Sequence, residues 1–142
     1  MRTLLAVLVV FVGACGGDTD GGGAASSPTP REKPATSTDL AGEWQRDDGP
    51  HKAIFYEDGT FVVDENPQLI YTAHPAAKGT FEVDDGAITF TSKGSEICQP
   101  RDTWVWEASL LDDDRLRTVV VDDGQGFCGI GVGTEWTWVR DS

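Results

Sequence analysis

The sequence predicts an all-β protein: an eight-stranded antiparallel up-and-down barrel preceded by a disordered linker. After residue 38, no stretch of the 142-residue chain repeats apolar side chains at helical spacing. Asp-Gly turn signals recur instead, and the segments between them alternate apolar and polar residues, as half-buried strands do. The tight turns fall at every second connection, which is the pattern expected of a barrel closed at one end.

Eight segments carry this alternation. They are residues 40–46, 51–56, 60–64, 79–83, 87–92, 103–110, 115–121 and 134–140. The tight turns between them are EDG at 57–59, DDG at 84–86 and an acidic turn around 112–114. Residues 68–72 are left open between a ninth short strand and a loop packed on the mouth.

The remaining connections are mostly long. The third, fifth and seventh cover about 65–78, 93–102 and 122–133. In an up-and-down barrel these alternate connections lie at the same end. We therefore expect hairpins to close one end and large loops to surround the other, which we call the mouth.

The first residues are typical of an export signal. Met1-Arg2 is positively charged, and Leu4–Val12 is an unbroken apolar run that is too short to span a bilayer, which needs roughly 20 residues. The following Val12–Cys15, VGAC, resembles the lipobox of bacterial lipoproteins. That resemblance implies a signal peptide at 1–14 and a Cys15 that carries acyl chains such as palmitate. It also implies a protein held to a membrane of the cell envelope. The alternative left open is an ordinary secreted protein.

Residues 15–38 are predicted to form a disordered tether, and residues 39–142 the barrel domain. The tether is rich in Gly, Ser, Pro and Thr and nearly lacks large apolar groups. Such a segment buries too little apolar surface to offset the entropy lost on ordering. Its root-mean-square reach is roughly 25 Å.

The formal net charge of −13 excludes nucleic acid as a partner and disfavours direct adsorption to anionic lipid. The simplest role of the acidic residues is to keep a small Trp-, Phe- and Val-rich domain soluble. We therefore expect a monomer attached to the membrane through its lipid anchor.

The other two cysteines, Cys98 and Cys128, fall in the fifth and seventh connections, both at the mouth. Export places them where disulfides persist, and no Cys-x-x-Cys spacing indicates a metal or redox site. We predict a structural disulfide between them. Closing a loop of about 30 residues stabilises a domain by roughly 3–4 kcal/mol in the chain-entropy model.

Gly42-Glu43-Trp44 on the first strand and Arg140 at the end of the last resemble the lipocalin and fatty-acid-binding-protein group of barrels. In that group the tryptophan plugs the closed end and the arginine packs across its indole. The resemblance implies a closed-end latch of Gly42, Trp44 and Arg140. The Thr-Asp-Tyr type turn of lipocalins is replaced by LDDDR at 111–115. The better match is to short lipocalin-like domains of bacterial lipoproteins, with avidin-like barrels as a second candidate.

Five tryptophans are many for this length, and four form the pairs Trp104/Trp106 and Trp136/Trp138. Each pair shares one face of its strand. An aromatic wall would suit a flat or hydrophobic ligand. Filling of the core explains the pairs as well, because an eight-stranded barrel is just wide enough for side chains to fill it. The candidate ligand-binding residues are Trp104, Trp136, Phe61 and Phe90.

The two histidines, His51 and His74, also fall at the mouth. Two histidines with a nearby Glu or Asp could hold a metal or run acid–base chemistry, but lone histidines in loops are more often solvated. No nucleophile elbow, phosphate loop or zinc motif is present. We therefore predict no catalytic residue, no metal and no cofactor.

Three functions remain open from the sequence. The leading hypothesis is a non-enzymatic envelope lipoprotein whose barrel binds or carries a hydrophobic small molecule at its mouth. The second is a fully packed barrel that acts as a protein-interaction or envelope-structural module. The third is a lipocalin-like lyase or isomerase. The space inside the barrel separates the first two, and convergence of His51 and His74 on a carboxylate tests the third.

Overall fold

A computed structural model describes residues 32–72, 74–95, 97–124 and 131–142. The signal peptide, Cys15, most of the tether and Cys128 lie outside the described residues. The elements of the described chain are β1 (Lys33–Pro34), α1 (Ser37–Leu40), β2 (Gly42–Arg46), β3 (Lys52–Phe55), β4 (Thr60–Asp64), β5 (Ala77–Asp84), β6 (Ala87–Ser92), β7 (Thr103–Asp112), β8 (Arg115–Asp122) and β9 (Glu135–Arg140).

Strands β2 to β9 form a closed antiparallel barrel, which confirms the predicted fold class. Each strand pairs with the next along the chain, and β9 pairs back onto β2 with Arg140 opposite Trp44. The eight predicted segments coincide with these strands to within two residues at almost every boundary. Closure matters because an open sheet would expose unpaired backbone groups at its edges.

The two ends of the barrel differ as the connection lengths predict. Short turns at 56–59, 85–86 and 113–114 close one end. The strand ends joined by the connections 65–76, 93–102 and 123–134 lie at the other end, together with the shorter 47–51. The mouth is therefore built from four loops and the closed end from three hairpins.

Aromatic rings fill much of the barrel interior. Directly paired residues of neighbouring strands point to the same face, so Phe81, Phe90 and Trp104 form one inward row across β5, β6 and β7. Contacting rings have centroids 4.7 to 6.2 Å apart, mostly edge to face. These separations are the favourable range for aromatic pairs, which adds to the stabilisation from burial.

Gly79 allows β5 and β6 to approach each other. A Cβ atom placed on Gly79 would collide with the carbonyl oxygen of Thr91 and would stand 3.1 Å from the ring of Phe61. Only glycine leaves room for both the neighbouring backbone and the aromatic core at this point.

The last part of the predicted tether is structured. Lys33 and Pro34 pair with β7 where that strand extends past the end of β6. Thr36 then caps α1: its side chain accepts a hydrogen bond from the Asp39 N–H, and its own N–H donates to the Asp39 carboxylate. Leu40, at the end of α1, is completely buried. The chain therefore covers the closed end before it enters the barrel.

The connection at 65–76, which we call the strap, lies against the outside of the barrel. Its residues 67–71 form turns rather than a ninth strand. Ala53 of β3 belongs to the barrel core, so its neighbour Ile54 points outward, yet Ile54 is only 4% exposed. Ile70 of the strap is also buried and likewise stands outside the core cluster. The strap therefore covers an apolar position on the outer face of β3.

Asp64 holds the two ends of the strap together. This buried carboxylate accepts hydrogen bonds from the backbone N–H groups of Asn66 (2.6 Å) and Ala76 (2.7 Å). One side chain thereby satisfies donors at both ends of a long loop, which reduces the freedom of the loop.

Candidate functional site

The residues proposed as a closed-end latch lie together. The guanidinium carbon of Arg140 is 4.2 Å from the ring centroid of Trp44, a cation–π distance. Its two terminal nitrogens donate to the backbone carbonyl oxygens of Ala41 and Asp39, each at 2.8 Å. Arg140 thus connects the last strand to the segment that leads into the first.

Gly42 is required by the same arrangement for two reasons. Its φ of +124° is a backbone conformation that residues with a Cβ rarely adopt. A Cβ at this position would also stand 2.9 Å from a terminal nitrogen of Arg140. The Gly-x-Trp pattern is therefore explained by backbone geometry and by space for the guanidinium.

The four candidate ligand-binding residues belong to one aromatic cluster. The ring of Trp104 stacks on Phe90, with centroids 5.1 Å apart, and meets Phe61 edge to face at 5.7 Å. Trp136 joins the cluster through Trp106, whose centroid is 5.4 Å away. The structure therefore brings together residues from β4, β6, β7 and β9 that are far apart in the chain.

Three of these four side chains have almost no accessible surface. Phe61 is 1%, Phe90 0% and Trp104 3% exposed. A cavity large enough for water beside these rings would itself appear as accessible surface, so the rings are packed against protein atoms. Trp136 is only partly buried and packs at the edge of the core. In this conformation the aromatic cluster is accessible mainly through Trp136.

The indole N–H groups fall into two classes. Trp44 donates to the carbonyl oxygen of Leu40 at 2.7 Å, and Trp138 donates to the hydroxyl of Thr118 at 2.9 Å. The indole nitrogens of Trp104 and Trp106 are buried without a hydrogen-bond partner. The sequence does not distinguish these classes, because the fold decides which acceptors lie nearby: Leu40 at the end of α1 for Trp44, and Thr118 of β8 for Trp138.

The two histidines are in different surroundings. The Nε2 atom of His51 is 3.3 Å from a carboxylate oxygen of Glu65, while its Nδ1 is buried without a partner. His74 is exposed, and its backbone N–H donates to Thr72. The structure thus pairs His51, but not His74, with a carboxylate. In the part of the chain that is described, no group of three or more His, Cys, Asp and Glu side chains could hold a metal ion.

Arg46 lies beside Trp136, at the exposed edge of the aromatic cluster. Its guanidinium carbon lies 5.2 Å from the ring centroid of Trp136. The same group forms a two-point ion pair with Asp48, with nitrogen–oxygen distances of 2.6 and 2.7 Å. Its charge is therefore already neutralised beside the aromatic wall.

A network of charged side chains, which no sequence pattern indicated, lies on the outer face of the barrel. Lys52 is only 8% exposed, and its Nζ lies 2.6 Å from Glu43 and 2.7 Å from Asp141. Tyr71 of the strap donates its hydroxyl to Glu43 at 2.9 Å. The Lys52 network therefore joins two strands, the strap and the C-terminal end. Lysine is usually exposed, so its position gave no signal of this role.

Ion pairing shifts the pKa values of this network in opposite directions. The hydrogen bond from Lys52 lowers the pKa of Glu43 below its ordinary 4.5, and Tyr71 adds to the effect. The bonds to Asp141 and Glu43 raise the pKa of Lys52 above its ordinary 10.5. Glu43 therefore contributes stability above its unfolded pKa and loses it as the pH falls through the lower folded value. Lys52 contributes below its unfolded pKa and loses this only as the pH rises through a higher folded value.

We expect Lys52→Met to lower the free energy of unfolding by about 1–2 kcal/mol, since two partly exposed carboxylates lose their shared cation. The wild-type protein should lose stability as the pH falls below about 4. In Lys52→Met this loss should be smaller, because Glu43 no longer has a lowered pKa in the folded state. Denaturant unfolding at pH 7 and pH 3.5 measures both effects. Lys93→Met, at an exposed lysine of the mouth, is the control. Equal acid sensitivity in both variants would contradict this role of Lys52.

Another concave surface lies at the closed end. A groove of about 840 Å³ runs between α1, the turn at 56–59 and β5, and it carries the carboxylates of Glu57, Asp58 and Glu82. Tyr56 forms part of its wall and is 45% exposed. Its lining residues include none of the four candidate ligand-binding side chains.

Cys98 lies at the mouth as predicted and is completely buried. Its backbone N–H donates to the hydroxyl of Ser95, and its carbonyl accepts from the Ser95 N–H, so a tight turn fixes its position. Cys128 lies outside the described residues, and the Cys98–Cys128 disulfide stays a prediction.

No protein-family model matches the chain, and no curated protein sequence matches it either. Over the described ranges, no helix is long and apolar enough to cross a membrane. What defines the molecule is a closed eight-stranded barrel with an arginine–tryptophan latch at one end and an aromatic cluster that reaches the mouth at the other.

Proposed function

We propose that the chain is an exported, lipid-anchored protein of the cell envelope whose small barrel binds a hydrophobic small molecule through its mouth. Cys15 supplies the anchor, and Cys98 and Cys128 form a disulfide between two mouth loops. Its layout resembles that of the lipocalin-like domains of bacterial lipoproteins, with Gly42, Trp44 and Arg140 as the latch of the closed end.

The observation that carries this proposal is the aromatic cluster that extends from the interior to the mouth. Phe61, Phe90 and Trp104 are in mutual ring contact, and Trp106 links them to the partly exposed Trp136. Such a cluster places large apolar rings beneath the mouth, and small-molecule sites are common in the mouths of β-barrels. At the closed end the latch ties Arg140 to the segment that enters β2, and the groove beside α1 is lined by none of the four candidate side chains.

A second candidate function is a packed barrel that acts as a protein-interaction or envelope-structural module. The burial of Phe61 and Phe90 favours it, because neither ring borders open space. Exposed apolar side chains on the mouth loops, Ile97 (48% exposed) and Val132 (63%), would then serve as contact points. In the ligand-binding proposal, a ligand enters only when Trp136 moves away from its neighbours.

Native mass spectrometry of the full chain, extracted from membranes without refolding, tests the two candidates. We expect a small molecule bound at one equivalent, and quenching of tryptophan fluorescence when an aromatic probe is added to the ligand-free chain. A bare mass together with no binding of any hydrophobic probe would contradict ligand binding and favour the interaction module.

Thiol titration tests the proposed disulfide. The exported, unfolded chain should show no reactive thiol before reduction and two after it, because Cys15 is blocked by its acyl chain. Cys98→Ser should expose one thiol, from Cys128, without reductant. Two reactive thiols in the unreduced wild-type chain would show that the cysteines are not paired.

A further inference from the structure

Unpartnered polar groups are concentrated on the mouth side of the barrel. Among the described residues, three buried side-chain polar atoms lack a hydrogen-bond partner: Nε1 of Trp104, Nε1 of Trp106 and Nδ1 of His51. Trp104 and Trp106 are 3% and 2% exposed, so water does not reach these donors either. A buried donor left without a partner destabilises a fold and needs an explanation.

The positions of the three groups are related. Trp104 and Trp106 occupy the first two inward-facing positions of β7 counted from the mouth, opposite Phe90 and Ile88 of β6. His51 immediately precedes β3 at the same end of the barrel. The inward indoles of Trp44 and Trp138 do have partners. The buried polar groups without a partner therefore lie on the mouth side, and not all interior tryptophans lack one.

The charges near the mouth indicate what kind of acceptor would fit. The two indole N–H groups are neutral donors. Arg46, beside Trp136, is already engaged by Asp48 through two short hydrogen bonds. An anionic ligand group beside Trp136 would lie near this carboxylate and would lose its hydration without gaining Arg46, which is already paired. A neutral carbonyl oxygen needs only the two N–H donors.

We infer that the mouth side of the barrel takes a neutral ligand with a flat apolar body and a carbonyl-type oxygen, which accepts hydrogen bonds from the indole N–H groups of Trp104 and Trp106. This inference rests on the proposed function and specifies the chemistry of its ligand. The body of the ligand packs against the ring faces of the cluster. In the empty barrel the same rings close on one another and leave both donors without a partner.

Three probes of nearly equal shape separate the hydrogen bond from apolar burial. They are 2-acetylnaphthalene, which has a neutral carbonyl, 2-ethylnaphthalene, which has none, and 2-naphthoate, which is anionic. Each is titrated into the full chain in a short-chain detergent, with detergent alone as the blank for partition. We expect the ketone to bind about tenfold more tightly than the hydrocarbon, which corresponds to about threefold for each of the two added hydrogen bonds. We expect the carboxylate to bind most weakly.

The indole ¹H–¹⁵N resonances of the isotopically labelled chain give a direct readout. Those of Trp104 and Trp106 should move downfield with the ketone and not with the hydrocarbon, while the resonance of Trp44 should stay in place. Trp104→Phe and Trp106→Phe assign the signals. These variants keep an aromatic ring, and each removes one of the two donors, so each should reduce the preference for the ketone from about tenfold to about threefold. Trp136→Phe, in the same cluster, is the matched control and should keep the preference.

The outcomes separate this inference from the function on which it rests. Equal binding of ketone and hydrocarbon, with unmoved Trp104 and Trp106 resonances, would overturn the inference and leave hydrophobic ligand binding intact. Tightest binding of the carboxylate would also overturn it. Failure of all three probes to bind would overturn both. Upfield indole resonances that no probe changes would show that the N–H groups point at neighbouring ring faces instead.

Discussion

Replacing Arg140 by alanine should lower the free energy of unfolding by about 3 kcal/mol and the melting temperature by roughly 10–20 °C. The substitution removes the cation above Trp44 and leaves the carbonyl oxygens of Ala41 and Asp39 without their donors. These two carbonyls belong to the segment that enters β2, so the closed end should loosen as a unit. Thermal unfolding followed by near-ultraviolet circular dichroism measures the effect.

Two further substitutions make this test specific. Arg115→Ala removes an exposed arginine that pairs with Asp112 within the β7–β8 hairpin. This substitution should leave the melting temperature unchanged. Arg140→Lys keeps the charge but not the planar fork that reaches two carbonyls, so its stability should lie between those of the wild type and Arg140→Ala. A shift of about 2 °C in melting temperature corresponds to roughly half a kcal/mol of unfolding free energy. An Arg140→Ala protein that melts this close to the wild type would contradict the role of the latch.

Cys15→Ser should transfer nearly all of the protein from the membrane fraction to the soluble fraction. An acyl chain contributes about 0.8 kcal/mol of membrane affinity for each buried CH₂ group, and serine cannot carry the chain on sulfur. The net charge of −13 provides no electrostatic attraction to anionic lipid that would replace it. Fractionation after a high-salt wash, followed by immunoblotting, measures the distribution.

Cys98→Ser provides the reciprocal control for this experiment. That variant keeps the anchor, so it should stay in the membrane fraction while its domain becomes less stable. The Cys15→Ser domain should melt at the wild-type temperature, since Cys15 precedes the first described strand by many residues. Retention of Cys15→Ser on the membrane would contradict the lipid anchor and indicate another mode of attachment.

The barrel itself was predictable because its signals are local. Alternation such as Phe61/Val63 or Ile88/Phe90 identifies strands from neighbouring residues alone. Turn sequences such as EDG and DDG identify the hairpins, and their placement at every second connection identifies the closed end. The Gly-x-Trp pattern and Arg140 also indicated the latch, although the reason for Gly42 became clear only from its φ angle.

The elements outside the barrel were harder to predict. Lys33 and Pro34 lie in a segment whose composition is that of a linker, yet they pair with β7 where β6 ends and leaves backbone groups of β7 without a partner strand. The strap was ambiguous because Ile70 is buried against the outside of the barrel, where the sequence gave no reason to expect an apolar contact. Both outcomes depend on surfaces that exist only once the sheet has closed.

The sequence by itself determined the order of the strands and the difference between the two ends of the barrel. It also placed Cys15 just after the predicted export signal and Cys98 and Cys128 in loops of the barrel. Each of these conclusions follows from spacing along the chain. Only the tertiary structure decided which buried polar groups have partners. Lys52 gained two carboxylates from β2 and the C-terminal end, whereas Trp104 and Trp106 gained aromatic neighbours but no hydrogen-bond acceptor. The physical reason is that hydrogen bonds and ion pairs require particular atoms within about 3 Å. In a barrel those atoms come from strands that are distant in sequence.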